Sequence, residues 1–203
     1  MIRLYQNALS PFCHRVRIML AEKELDYQTV NVDLPKKENR TDQFLRLNPL
    51  GKVPVLADED LILFESFVIN EYLNEEYPFP ELLPEDPQEK ASARLWCAQV
   101  DALVAYPGVA IFLAQRAKEK GGSVDEAKIE EDKQKIQKFF ELADKNLKNR
   151  EYLMGAYSLA DIAFAPWVFL FEKVGIAVPD LPNLSVWLKR LSTKNTILKT
   201  RAQ

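Results

Sequence analysis

Hydrophobic positions along the first third of the chain switch repeatedly between two spacings. Around RLYQ, Ile2 and Leu4 share one face, as they would in a short strand. After Ser-Pro-Phe, Val16, Met19, Leu20 and then Leu25 fall at helical spacing, with Arg15, Arg17, Glu22 and Lys23 mostly on other faces. YQTVNVDL returns to alternation through Val30, Val32 and Leu34. A weaker helical patch runs from Asp42 to Leu47 and stops at Asn48-Pro49, where the proline disfavours helix in the residue before it. VPVLAD and LILFE form two short apolar strands across the acidic turn Asp58-Glu59-Asp60. Ser66 opens a further helix, whose face is marked by Val68, Ile69, Tyr72 and Leu73. The predicted order is β-α-β-α-β-β-α within residues 1 to 77, a compact α/β unit.

The run YPFPELLPEDP breaks this pattern. Four of the chain's 12 prolines fall between Tyr77 and Pro87, so residues 78 to 87 read as a linker. Residues 88 to 203 then carry only helical periods, and the expected architecture is α/β plus all-α. A long apolar helix is interrupted or kinked at Pro107-Gly108, and GGSVDEAK makes a turn with Ser123 as N-cap. A charged helix to Asn149, one apolar helix over SLADIAFAPWVFLFEKVG and a last helix over LPNLSVWLKRLS complete the reading.

Composition narrows the function classes. A net charge of −3 gives no electrostatic case for nucleic acid as a direct partner. The lysines between Lys128 and Lys148 alternate with Glu130, Glu131, Asp132, Glu141 and Asp144, the pattern of a solvated helix face with i,i+4 pairs. No apolar run of membrane-spanning length and no secretory signal is apparent. Cys13 and Cys97 fit neither a disulfide framework nor metal-ligand spacing, so no metal and a cytoplasmic location are expected.

Four short stretches can carry chemistry. In S-P-F-C, a hydroxyl and a thiol stand at a helix N-terminus, whose unpaired N–H groups stabilise an anion. Taken alone, Ser10 as an N-cap and Cys13 as a small buried hydrophobe is the simpler reading. In G-K-V-P-V-L, Pro54 interrupts a strand, which suits a strand edge or a cis-proline that turns the backbone of Val53 toward a peptide-like ligand. In F-E-S-F, Ser66 at a helix N-terminus suits a ligand carboxylate and Glu65 an ammonium group, although capping is again the commoner use. S-L-A-D, residues 158 to 161, is a capping box with Asp in the acidic position. His14 follows Cys13 directly and does not face it on a helix, so it is a poor base for that thiol.

In order and spacing, SPF-C-x-RVRI, LNPLGKVPVL, FES, the proline-rich linker and SLADIAFAP together resemble the glutathione transferase superfamily across essentially the whole chain. The resemblance implies a thioredoxin-like domain, residues 1 to 77, followed by a helical domain, usually as a homodimer. It implies glutathione as co-substrate, a small electrophile bound between the domains, and a detoxifying transferase activity. Carried over by position, Pro54 is cis and the Val53 backbone pairs with the cysteinyl part of glutathione, with Lys52 beside it. Glu65 and Ser66 hold the γ-glutamyl end, and Arg40, chosen over Lys36 and Lys37, holds the glycyl carboxylate.

The first-helix motif resembles the serine-type plant Tau pattern S-P-F-x-x-R-V-R-I, whereas the cysteine-type classes begin the same motif with cysteine. Ser10 is thereby the catalytic group. Cys13 takes the place of the second cysteine of C-P-F-C reductases, which keeps a Cys13-dependent thiol-disulfide oxidoreductase as an alternative. VRIMLAEK, LNP and FES also resemble stringent starvation protein A, a non-enzymatic regulator that binds RNA polymerase. Tyr106, Phe112 and Trp167 are expected either as walls of an electrophile pocket or as ordinary helical core.

Overall fold

The computed structural model describes residues 1–201 and divides into two compact units, Met1–Leu82 with the segment from Asn195, and Leu83–Lys194. In the first unit, β1 (Ile2–Gln6), β2 (Tyr27–Asn31), β3 (Val55–Asp58) and β4 (Leu61–Phe64) form one sheet in the order β2-β1-β3-β4. β1 runs parallel to β2 and antiparallel to β3, and β4 is antiparallel to β3. Helix α1 (Pro11–Glu22) packs with α3 (Ser66–Glu76) through the buried Val16, Met19, Leu20, Ile69 and Leu73. A separate cluster of Val32, Phe44 and Val55 joins the short α2 (Asp42–Leu47) to the sheet, with Tyr5 and Phe64 packed against it. This is the predicted α/β unit in a thioredoxin-like arrangement.

The second unit is helical. It contains α4 (Pro87–Val100), α5 (Tyr106–Glu119), α6 (Glu126–Asn146), α7 (Leu159–Phe164) and α8 (Pro182–Thr193). Its core is aromatic: Phe139 stacks on Phe164 at 5.3 Å between centroids, and Phe164 lies 4.6 Å from Trp187. On α6, Lys135 pairs with Glu131 at 2.6 Å, an i,i+4 pair as predicted, whereas Asp132, read as part of the solvated face, is buried and pairs with Lys135 at 3.0 Å.

Several helix details differ from the expectation. The N-cap of α6 is Asp125, whose carboxylate accepts from the Lys128 N–H, and Ser123 lies earlier in the turn. The expected break at Pro107-Gly108 is a π turn over Asp101–Ala105, closed by the Tyr106 N–H donating to the Asp101 carbonyl. Pro107 has no N–H to offer the carbonyl four residues back, and a wider turn accommodates that loss. Gly108 follows because a Cβ there would lie 2.2 Å from Trp167 Cζ3. The apolar stretch after Ser158 is one helix only as far as Phe164, and then becomes 3₁₀ turns over Ala165–Phe169 and Glu172–Val174. The helical run Pro87–Glu119 holds an 18-residue window of mean hydropathy 1.6, so one segment does reach membrane-spanning length by composition. Its buried side packs against α6 and α7 within the unit.

The segment from Asn195, expected with the helical domain, packs instead on the first unit as α9 (Asn195–Lys199) against α1. His14 reaches it, with Nε2 lying 3.4 Å from the Ile197 carbonyl and 3.2 Å from Thr200 Oγ1. Burial, reinforced by the Arg17 charge, lowers the His14 pKa to about 4. The unfolded chain binds this proton near pH 6.5, so between about pH 6.5 and 4 the unfolded state holds more protons. His14 therefore contributes stability that is complete above about pH 6.5 and lost as pH falls through about 4. Denaturant unfolding at pH 7 and pH 4 is expected to show a loss of roughly 3 kcal/mol from this group. His14→Gln should flatten that pH window; an unchanged acid slope would contradict the assignment.

Candidate active site

The loop between β1 and α1 presents Ser10. Its backbone is extended, at φ −74° and ψ 123°, and its N–H donates to the Asn7 carbonyl at 3.0 Å. Pro11 occupies the first turn of α1, where a missing N–H costs nothing. The Ser10 Oγ accepts from the Cys13 N–H at 3.4 Å, a long cap bond, and the residue is partly exposed. No acidic side chain stands in the first turn of α1, so its partial positive charge is not offset from within the helix.

Cys13 faces the other way. It is fully buried, and its Sγ accepts from the Asn7 N–H at 3.4 Å. Burial pushes its pKa up, against smaller downward pulls from that bond, Ser10 and Arg17. A buried, protonated thiol is a weak nucleophile. Cys13 and Cys97 are both free and buried.

Across the sheet, the Val53-Pro54 bond is cis. Among the described residues, neither the N–H nor the C=O of Val53 has a hydrogen-bond partner. Pro54 is buried and Val53 half-buried. The register ends with Val55 opposite Phe64, so Val53-Pro54 enter β3 at the same end where Glu65-Ser66 leave β4. Glu65 is exposed and sits at φ 72°, ψ 110°, in the half of the map that favours glycine. A non-glycine residue there costs on the order of 1–3 kcal/mol and is typical of a functional constraint. Ser66 begins α3 and is buried, and among the described residues its hydroxyl has no partner.

Arg40 and Lys52 are both exposed. Arg40 Nη1 donates to the Leu50 carbonyl at 3.3 Å, and Asn39 Nδ2 donates to the Gly51 carbonyl at 2.7 Å. Asn48, almost fully buried, donates to the Lys52 carbonyl at 2.8 Å and accepts from the Leu50 N–H at 2.9 Å. Asn39 and Asn48 thus hold the loop before Val53, and neither stood among the predicted site residues. The signal for Asn48 was available, because Asn before Pro-Leu-Gly is an Asx-turn pattern.

The topology brings these pieces together. Ser10 follows the C-terminal end of β1, Arg40 lies beyond the C-terminal end of the parallel β2, Val53-Pro54 leads into the antiparallel β3, and Glu65-Ser66 ends β4. All of them lie at one end of the sheet. Trp167 takes no part: it is 1% exposed, inside the helical unit against Phe171 and Gly108, and so belongs to the core. Tyr106 and Phe112 of the same unit are exposed.

Residues 1–75 match the glutathione S-transferase N-terminal domain family and residues 102–195 the corresponding C-terminal domain family. Glutathione S-transferase F13 of Arabidopsis thaliana is 32% identical over 98% of this chain and 94% of its own length. The chain belongs to the glutathione S-transferase family. A solved transferase family member from Pseudomonas fluorescens pf-5, with two glutathione bound, superposes with a TM-score of 0.85 at 26% identity, over 99% of this chain and 92% of that one. A stringent starvation protein A homolog of Histophilus somni is 28% identical over 97% of this chain and 88% of its own length. The transferase relationship is thus supported in both halves of the chain, by sequence and by fold.

Proposed function

We infer that this protein is a serine-type glutathione transferase, which activates the glutathione thiol at Ser10 for attack on a small electrophile. The supporting observation is the convergence, at one end of the sheet, of a partly exposed Ser10 at an unneutralised helix N-terminus with the unpaired Val53 backbone and the Glu65-Ser66 pair. Glutathione lies extended across that end. Its cysteinyl N–H and C=O pair with Val53, its γ-glutamyl carboxylate with Ser66 and the N-terminus of α3, and its ammonium with Glu65. Lys52 and Arg40 supply positive charge for the glycyl carboxylate.

An unperturbed thiol near pKa 8.5 is only a few per cent ionised at neutral pH. The Ser10 hydroxyl donates to the thiolate while the helix N-terminus adds positive potential. Lowering the thiol pKa by about two units makes most of it thiolate, a differential stabilisation of about 2.7 kcal/mol. The sulfur then bonds to the electrophilic carbon as the leaving group departs with its electron pair.

The test is glutathione binding by calorimetry, followed by turnover with an activated aryl halide. Ser66→Ala and Glu65→Gln each remove a charge-assisted hydrogen bond remote from the sulfur. Each is expected to raise KM for glutathione about tenfold with kcat within about twofold. A kcat loss at constant KM in both variants would contradict these roles.

The protein acts in the cytoplasm as a homodimer. β4 is an edge strand with Leu61 and Ile62 exposed, and Val68 of α3 and Phe79 after it are exposed as well. Sedimentation should return twice the chain mass, and a monomer at micromolar concentration would refute the assembly. The likeness to stringent starvation protein A supports the second reading, a regulator that binds RNA polymerase. It takes precedence if the purified protein never binds glutathione yet binds purified RNA polymerase.

A further inference from the structure

Arg17 is a buried cation whose hydrogen-bond partners among the described residues are all neutral. It is 6% exposed, and no carboxylate pairs with it among the described residues. Its guanidinium instead spends its donors on three neutral acceptors from three parts of the first unit. Nη1 donates to Gln6 Oε1 at the end of β1, Nη2 to the Ala8 carbonyl at 3.1 Å, and Nε to the Thr200 carbonyl at 2.9 Å. Ala8 lies in the loop that delivers Ser10. That loop is otherwise held from within, by Ser10 N–H on the Asn7 carbonyl at 3.0 Å and Leu9 N–H on Asn7 Oδ1 at 3.1 Å. Asn7 in turn reaches the sheet through Nδ2 on the Val32 carbonyl at 3.1 Å.

The third acceptor belongs to the far end of the chain. Thr200 is set by its own ties: its hydroxyl donates to the Thr196 carbonyl at 2.7 Å and lies 3.2 Å from His14 Nε2, while the Thr196 hydroxyl donates to Glu22. A planar fork with donors in fixed directions holds its acceptors in one mutual geometry, which a lysine cannot reproduce. The charge reaches the first turn of α1 as well, since Arg17 is one of the influences that favour an anion at Cys13.

We propose that Arg17 is a positioning residue which locks the Ser10 loop to the segment after Asn195, so that this C-terminal segment forms part of the thiol-activating apparatus without touching the thiol. The proposal rests on the reading of Ser10 as the thiol-activating group. Arg17 contributes twice: its fork fixes the Ala8 carbonyl and hence the direction of the Ser10 hydroxyl, and its unpaired charge adds to the positive potential of the helix N-terminus.

Two full-length variants separate these effects from mere stability. Arg17→Lys keeps the charge and breaks the fork. The double change Thr196→Ala with Thr200→Ala keeps Arg17 and cuts the segment's side-chain ties to Glu22 and His14. The readouts are the pKa of bound glutathione by thiolate absorbance, its Kd by calorimetry, and the backbone amide resonances of Ala8 to Ser10. Arg17→Lys is expected to raise the bound-thiol pKa by about one unit, which leaves roughly tenfold less thiolate at pH values below it. The double variant should shift it the same way by a smaller amount, with Kd for glutathione at about pH 6 within about twofold in both and the three amide resonances displaced.

A bound-thiol pKa equal to wild type in either variant, with the protein folded and glutathione bound, overturns the proposal and leaves the Ser10 reading standing. A wild-type protein that binds glutathione without lowering its pKa refutes the Ser10 reading itself, and this proposal with it.

Discussion

Ser10→Ala is expected to lower kcat with glutathione and an activated electrophile by roughly 20- to 30-fold at neutral pH, because the thiolate falls from most of the bound thiol to a few per cent when its pKa returns by about two units. KM for glutathione should change little, because in the proposed binding mode the hydroxyl meets only the sulfur while Val53, Glu65 and Ser66 hold the rest of the tripeptide. The fold should survive. The cap bond from Cys13 N–H to Ser10 Oγ is long, at 3.4 Å, and its loss costs about 0.5–1 kcal/mol of stability. Cys13→Ala is the control. It removes a buried thiol and should leave kcat within about twofold, since the protonated sulfur is fully buried against the Asn7 backbone. Inverted results, with activity lost in Cys13→Ala and kept in Ser10→Ala, would transfer the chemistry to the thiol-disulfide alternative.

The second large effect lies in the helical unit. Asp161→Ala is expected to destabilise the protein by about 3–5 kcal/mol in denaturant titration, enough to unfold it at physiological temperature if its total stability is ordinary. The carboxylate is fully buried. It accepts four hydrogen bonds, from Leu153 N–H at 3.1 Å, Ser158 N–H at 3.0 Å, the Ser158 hydroxyl at 3.2 Å and Trp187 Nε1 at 2.9 Å. Burial pushes its carboxyl up to about 6 against those donors, so it is ionised at neutral pH. Alanine leaves buried N–H groups on Leu153, Ser158 and Trp187 without an acceptor, each at about 1–3 kcal/mol. Asp161→Asn should recover part of the loss, since one amide oxygen can still accept while its NH₂ faces a donor. A loss below about 1 kcal/mol for the alanine variant would mean that the network is not a stability element.

Asp161 also marks how much was legible beforehand. Capping is local: S-L-A-D names both the hydroxyl and the carboxylate, and the capping box is present as read. The succession of strands and helices along the first unit was equally local, because alternation and helical spacing each leave a periodic trace, whereas the order of strands in the sheet was not read from it. The features that escaped depend on distant partners. Nothing in NTILK distinguishes a helix that continues the second unit from one that packs on α1, since the decision lies with His14, Arg17 and Glu22 far back in the chain. The π turn at Asp101–Ala105 follows from Pro107, but the close approach that makes Gly108 necessary is set by Trp167. At the candidate site, Ser10, Pro54, Glu65 and Ser66 could be named from motif resemblance. The role of Arg17 could not, because its three acceptors span the chain from Gln6 to Thr200 and only the folded structure joins them.

In the proposed chemistry, a helix N-terminus with a serine hydroxyl makes glutathione a thiolate at neutral pH. The most direct measurement is thiolate absorbance of glutathione titrated into the Cys13→Ala protein across pH, compared with the same protein carrying Ser10→Ala. A saturable thiolate signal is expected, with a pKa about two units below that of the free thiol, which returns toward the free value when Ser10 is removed. A flat trace, or a lowered pKa that persists without Ser10, would contradict it.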